Sequence, residues 1–258
     1  MTASTTPLAA DLEAALRRLK LAAIRRLAPE VLGTAKIQRW PPDELLRTLL
    51  QAELDSRDAS NARARLRTAG FPVAKTLDEF QVATSSVPQA TFDYLASLEW
   101  IRARENLVLV GPAGTGKSHL LVALGSSAVD TGLRVRYLAA VDLVETLYRG
   151  LADDSVGRHI ESLLKADLVI VDEPGFAPLD EVGTQLRFRF VAAAYERRSL
   201  GVASHWPFES WGRFLPEHTT AVSLLDRLLH HASVVVTEGE SFRMRETRSR
   251  GGGRSTNA

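Results

Sequence analysis

Two rhythms of apolar residues divide the chain. From Ala9 to Ala28 the apolar positions Leu12, Leu16, Leu19, Ala23 and Leu27 recur every three or four residues, with Arg17, Arg18, Lys20, Arg25 and Arg26 between them. That is the period of a helix with one buried stripe, and it predicts a single amphipathic helix ended near Pro29. A second helix is predicted after Pro41 and Pro42, with Asp43 and Glu44 in the first turn, where acids complement the positive helix end. It runs through Leu45, Leu46, Leu49, Leu50 and Leu54, continues as an arginine-rich segment and stops at Gly70. Residues 1–70 therefore read as a small all-helical module. Residues 71–90 carry Pro, Ser and Thr with neither period and read as a linker.

Beyond a helix over 91–102, short apolar runs alternate with helical segments. Strands are predicted at 106–111, 134–140, 167–173 and 199–205, with helices at 117–132, 141–150 and 184–198 between them. A further helix over 223–232 and a last strand or hairpin from Ser233 complete the domain, 91–247. Buried strands alternating with helices predict an α/β fold, a parallel sheet covered on both faces. The glycine-rich end, 248–258, reads as a disordered tail.

Composition narrows the setting. The 258 residues fit one large domain or a medium domain with a smaller companion. There is no Cys, so neither a disulfide framework nor a thiolate metal site is available, which favours a reducing compartment. The N-terminus lacks a signal-peptide pattern and no apolar run approaches the ~18 residues of a membrane span, so a cytoplasmic, membrane-free protein is expected. The net charge of +1 hides an asymmetry: 13 Lys/Arg against 10 Asp/Glu over residues 1–80, 14 against 20 over 81–242, and 5 against 1 over 243–258. Basic ends around an acidic middle suit a polyanionic partner such as nucleic acid, although surplus arginine on helices also arises as a solvated face.

The chemistry is concentrated after the first predicted strand. Gly111, Pro112, Ala113, Gly114, Thr115, Gly116, Lys117 and Ser118 fit G-x-x-x-x-G-K-[ST], followed by His119, between a strand and a helix. The glycines let backbone N–H groups face phosphate oxygens, Lys117 is expected to reach the β- and γ-phosphates of a nucleoside triphosphate, and Ser118 to ligate Mg²⁺. About fifty-five residues later a strand delivers Asp172 and Glu173 at its C-terminal end, where open α/β sheets bind ligands. Asp172 is the second Mg²⁺ ligand, and Glu173 the base that polarises water for attack on the γ-phosphate. Asn occurs only at 61, 106 and 257, so the guanine-reading N-K-x-D motif is missing, and no L-S-G-G-Q transporter signature occurs. A small-molecule kinase would need an arginine-rich lid over its acceptor.

GPAGTGKSHL, VIVDEPGF, YERRS, WPFESW and LLDRLLHHA, in this order behind an arginine-rich helical module, resemble the IstB-like ATPases, helpers of insertion-sequence transposases related to the DnaC helicase loaders within the AAA+ class. The resemblance implies a P-loop NTPase of AAA+ type with a helical N-terminal domain and little or no C-terminal lid. It implies ATP hydrolysis, double-stranded DNA and the transposase of the same mobile element as partners, and self-association through nucleotide sites shared between subunits. Arg227 matches the family's arginine finger, which reaches the γ-phosphate held by the neighbouring subunit; the alternative is an ordinary salt bridge. A helicase loader and a poorly hydrolysing scaffold remain as other readings.

One position departs from the family pattern. The strand before WPFESW usually ends in an Asn that orients the attacking water, and here His205 stands there beside Ser204. Imidazole reaches differently from an amide, so hydrolysis is either slowed or unaffected. His230 and His231 are expected on a helix, where adjacent residues do not share a face, so no metal pair is predicted. Arg243 and Arg245 are candidates for a sensor arginine or for DNA. Arg57, Arg63, Arg65 and Arg67 are the first choice for DNA phosphates, with Arg17, Arg18, Arg25 and Arg26 second.

Overall fold

The computed structural model describes residues 7–173, 180–213, 218–242 and 244. The expected tail, the Pro174–Phe176 part of DEPGF, Arg243 and Arg245 lie outside the described residues. The chain divides into two compact units, Met1–Ala64 and Arg65–Ala258. No helix among the described residues is long and apolar enough to cross a membrane.

The first unit holds α1 (Ala10–Arg18), α2 (Ala22–Gln38) and most of α3 (Pro42–Ala69). The single helix expected over residues 9–28 is broken. Lys20 takes a left-handed φ of 57°, with the Lys20 and Leu21 amides turned back to the carbonyls of Arg17 and Leu16. Helix α2 then runs through Pro29 instead of ending there. Its new start is capped from a distance, because the buried carboxylate of Glu53 on α3 accepts from the Ala23 and Ile24 amides at 2.9 and 3.2 Å. A side chain thirty residues away supplies what no local residue does. The break also divides the predicted stripe: Leu16 and Ala23 are buried, whereas Leu12 and Leu19 are exposed.

Burial alone raises the pKa of Glu53, but the hydrogen bond from Arg57 and those from the Ile24 and Ala23 amides outweigh it, leaving the carboxyl below its ordinary value of 4.5. Its contribution is complete above that value and is lost as pH falls through the lowered one. Glu53→Gln should therefore speed amide exchange at Ala23 and Ile24 by about tenfold at neutral pH. The wild type should approach the variant's rates, corrected for intrinsic exchange, on acidification; equal protection of both proteins at neutral pH would refute the cap.

The second unit is built on a parallel sheet of β1 (Asn106–Val110), β2 (Val135–Ala139), β3 (Leu168–Asp172), β4 (Ser199–Ser204) and β5 (Ala232–Val236), in the order β2-β3-β4-β1-β5. Alternation along the buried strands sends Leu107, Leu109, Leu168 and Ile170 to one face, against α4 (Gln89–Ala96), α5 (Glu99–Arg102) and α6 (Lys117–Asp130). Val108, Val110, Val169 and Val171 face α7 (Ala140–Arg149), α8 (Val156–Leu163), α9 (Glu181–Ala194) and α10 (His218–Leu229). Two apolar cores thus sandwich the sheet.

Three expectations change here. The helix over 91–102 is two, α4 and α5, parted at Leu98 with φ 59°. The segment 71–90, expected as a linker, packs Phe71, Leu77, Phe80 and Val87 onto the α6 face. Helix α10 begins at His218 and ends at Leu229, so His230 and His231 fall in the turn before β5.

Candidate nucleotide site

Sheet order brings the expected residues to one edge. Strands β1 and β3 flank β4, so the loop after β1 and the acids ending β3 lie on either side of the β4 C-terminus. The Gly111 amide donates to Ser204 O at 3.1 Å and the Glu173 amide to Ala203 O at 2.8 Å. His205 follows directly, half-buried, its ring 5.2 Å from that of Trp206.

The loop 111–116 is gripped from two sides. A Cβ on Gly111 would fall on the carbonyl oxygen of Thr237, one on Gly114 on the Ser241 side chain, and one on Gly116 would meet the Phe80 ring at 3.2 Å. All three glycines have positive φ, of 143°, 82° and 94°. The Phe242 amide donates to Gly114 O at 2.9 Å, and the hydroxyls of Thr115 and Thr237 are 2.7 Å apart. Lys117, at the first position of α6, is buried and donates to the carbonyls of Gly111 and Pro112 at 2.7 Å each.

Ser118 and Asp172 meet: Ser118 Oγ donates to Asp172 Oδ1 at 3.0 Å. The Tyr137 hydroxyl donates to Asp172 Oδ2 at 2.8 Å, and burial, reinforced by that bond, pushes its pKa up. Glu173 is exposed, has a left-handed φ of 55° and makes no side-chain hydrogen bond or ion pair among the described residues. Uncommon backbone conformations in non-glycine residues concentrate where function over-determines them.

A cleft of about 800 Å³ runs over this edge, lined by residues 113–119, Asp172 and Glu173, with Phe80, Glu238 and Phe242 among its walls. His119 lines it from the first turn of α6, its ring edge-on to Phe80 at 5.6 Å, and burial followed by the charge of Lys75 lowers its pKa. Glycine cradle, buried lysine and hydroxyl–carboxylate pair fit a triphosphate with a hard divalent ion. The model of the IstB-like ATP binding proteins matches residues 14–250.

The chain belongs to that family. It is 34% identical over 242 residues to an insertion sequence IS21 putative ATP-binding protein of Pseudomonas aeruginosa, covering 93% of this chain and 91% of the relative. It is 32% identical over 206 residues to an insertion sequence IS5376 putative ATP-binding protein of Geobacillus stearothermophilus, covering 80% and 82%. Among solved structures it is similar to AMPPCP-bound DnaA from Aquifex aeolicus, at 20% identity and TM-score 0.54, covering 70% of this chain and 56% of that one. It is also similar to DnaI, at 15% identity and TM-score 0.54, covering 68% and 94%. The chain spans little more than half of the DnaA chain, and at these identities the likeness is one of fold, the AAA+ P-loop type. Family and loop together identify an ATP-binding protein of that type.

The remaining candidates of this IstB-like chain lie elsewhere. Arg227 does not line its own cleft; its guanidinium lies 4.7 Å from the centre of the Phe188 ring and donates to Ser223 O at 3.5 Å. Among the described residues it forms no ion pair. Of the arginines on α3, Arg57 is committed to Glu53 at 2.9 Å and to Lys20 O at 3.1 Å, and Arg65 is half-buried, whereas Arg63 and Arg67 are exposed. Sequence reasoning missed Phe80, Tyr137, Thr237 and Ser241. Only Tyr137 carried a signal, a polar aromatic within a predicted strand of the parallel sheet.

Proposed function

We propose that the protein is an ATP-hydrolysing assembly factor that gathers on double-stranded DNA with ATP and Mg²⁺ and assists or regulates a transposase encoded by the same mobile element. The observation that carries the ATPase reading is the Ser118–Asp172 pair at the mouth of the loop with Glu173 beside it and unengaged. Ser118 and Asp172 would hold Mg²⁺, which neutralises charge on the phosphate oxygens. Lys117 would exchange its carbonyl partners for phosphate oxygens, and Glu173 would accept a proton from water. His205, between Gly111 and Glu173 along the sheet edge, would orient that water in place of the family's Asn. The transposition role rests on the insertion-sequence names of the relatives. Arg227, without a carboxylate partner among the described residues, supports a finger that serves another copy's cleft.

DNA contact is assigned to the exposed arginines, foremost Arg63 and Arg67, four residues apart on α3. Phosphate neutralisation predicts that duplex affinity, measured with ATP by fluorescence anisotropy, falls steeply between low and physiological salt. The double variant Arg63→Ala/Arg67→Ala should flatten the log–log slope by about 2. A flat salt response in the wild type would end this account, and preference for single-stranded DNA would favour a helicase-loader role instead.

A further inference from the structure

The turn between α9 and β4 and the turn between α10 and β5 meet at the N-terminal edge of the sheet, opposite the nucleotide cleft. Glu196 belongs to the first; His230 and His231 belong to the second, past the last residue of α10. Helical geometry therefore no longer separates the two imidazoles, whose ring centres lie 4.2 Å apart. Each of the three side chains offers a ligand atom within 4.8 Å of the others. His231 Nε2 and Glu196 Oε1 stand 3.8 Å apart, beyond hydrogen-bond distance. A tetrahedral ion with ligands at about 2.0–2.2 Å spaces its donor atoms roughly 3.4 Å apart, so small side-chain rotations would close the set.

The two turns are also pinned. Asn106, buried at the start of β1, donates from Nδ2 to Leu228 O at 2.9 Å, accepts at Oδ1 from the Leu200 amide at 2.9 Å, and donates its own amide to His231 O at 2.7 Å. Arg104 donates to Glu196 O at 3.2 Å. His230 Nδ1 lies 2.7 Å from the Tyr195 hydroxyl, which orients the ring and leaves Nε2 for an ion, as the outer partners of metal-bound histidines do. An exposed Glu–His ion pair would contribute little by itself. Two imidazoles and a carboxylate with an open position suit a borderline ion such as zinc and do not suit Mg²⁺.

We propose that Glu196, His230 and His231 form a zinc-class divalent cation site at the sheet edge remote from the nucleotide. The ion would tie the α9–β4 turn to the turn after α10, which begins at His230, three residues beyond Arg227. The test uses untagged full-length protein, stripped of metal and held without nucleotide or Mg²⁺, titrated with zinc chloride against a chromogenic chelator, with stoichiometry from native mass spectrometry. One zinc per chain is expected in the wild type. Glu196→Gln and Tyr195→Phe should weaken binding at least about tenfold, and His230→Ala/His231→Ala should abolish it. Asp172→Asn, altered at the nucleotide site, should still bind one zinc. Binding of a fluorescent ATP analogue checks folding of the variants at the turns and far-UV circular dichroism that of Asp172→Asn, and exposed Glu196→Gln carries the test if the double variant does not fold. Failure of the wild type to bind one zinc, undiminished binding in the folded double variant or in Glu196→Gln, or loss in Asp172→Asn would overturn the site.

Discussion

Glu173→Gln is expected to lower single-turnover ATP hydrolysis by about 10² to 10⁴ while leaving ATP affinity nearly unchanged. The adjacent acids are not equivalent. Asp172 is engaged at both oxygens, by Ser118 and by Tyr137, which suits a ligand and disfavours a base. Glu173 is turned out on its left-handed backbone, anchored through its amide to Ala203 O and otherwise unengaged among the described residues. Glutamine keeps the size and the backbone while removing the proton acceptor, so the variant isolates the chemical role. Asp172→Asn should instead weaken the Mg²⁺-dependent part of nucleotide binding. In the same assay His205→Asn should raise the rate, because an amide at the end of β4 restores the reach of the family's usual residue; an unchanged rate would remove the idea of a slowed sensor. Turnover in Glu173→Gln equal to that of the wild type would remove Glu173 as the base.

The legible parts of this molecule were those written in local pattern. Strands β1 and β3 are wholly buried and apolar apart from Asn106 and Asp172, and a glycine-rich loop or an acidic pair at the end of such a run has few other uses. What escaped was set by distant contacts. Nothing near Lys20 announces a helix break, because the carboxylate that caps α2 is Glu53. Phe71, Leu77, Phe80 and Val87 have no period, since each packs singly from an irregular segment onto α6 and its neighbours. Tyr137 reaches Asp172 only across the β2–β3 register, in which Ala139 pairs with Asp172. Helix α8 has no counterpart among the predicted elements although Val156, Ile160 and Leu163 have helical spacing and are buried; eight residues are too few for the period to stand out. The helix expected over 223–232 stops at Leu229 because strand pairing of Ala232 with Asn106 requires the chain to turn before it.

Arg227→Ala is expected to abolish ATP-specific growth of the complex on duplex DNA, read as mass with ATP against ADP, and to lower DNA-dependent turnover by about 10³ or more. ATP binding by the isolated chain should persist, because the residue lies outside its own cleft. Stability should fall by only about 1–2 kcal/mol, the scale of a half-buried cation–π contact such as that with Phe188. Arg227→Lys should not rescue turnover, because an ammonium lacks the planar fork that spreads charge over phosphoryl oxygens. The decisive arm is a mixture. Lys117→Ala chains keep the finger but lose the phosphate-binding lysine, and Arg227→Ala chains do the reverse, so each alone is inactive. If the site is split between subunits, random mixing pairs an intact loop with an intact finger at about a quarter of interfaces, and activity returns in that proportion. A finger acting within its own chain allows no such recovery, and growth indifferent to nucleotide in the wild type would show that ATP does not drive assembly at all.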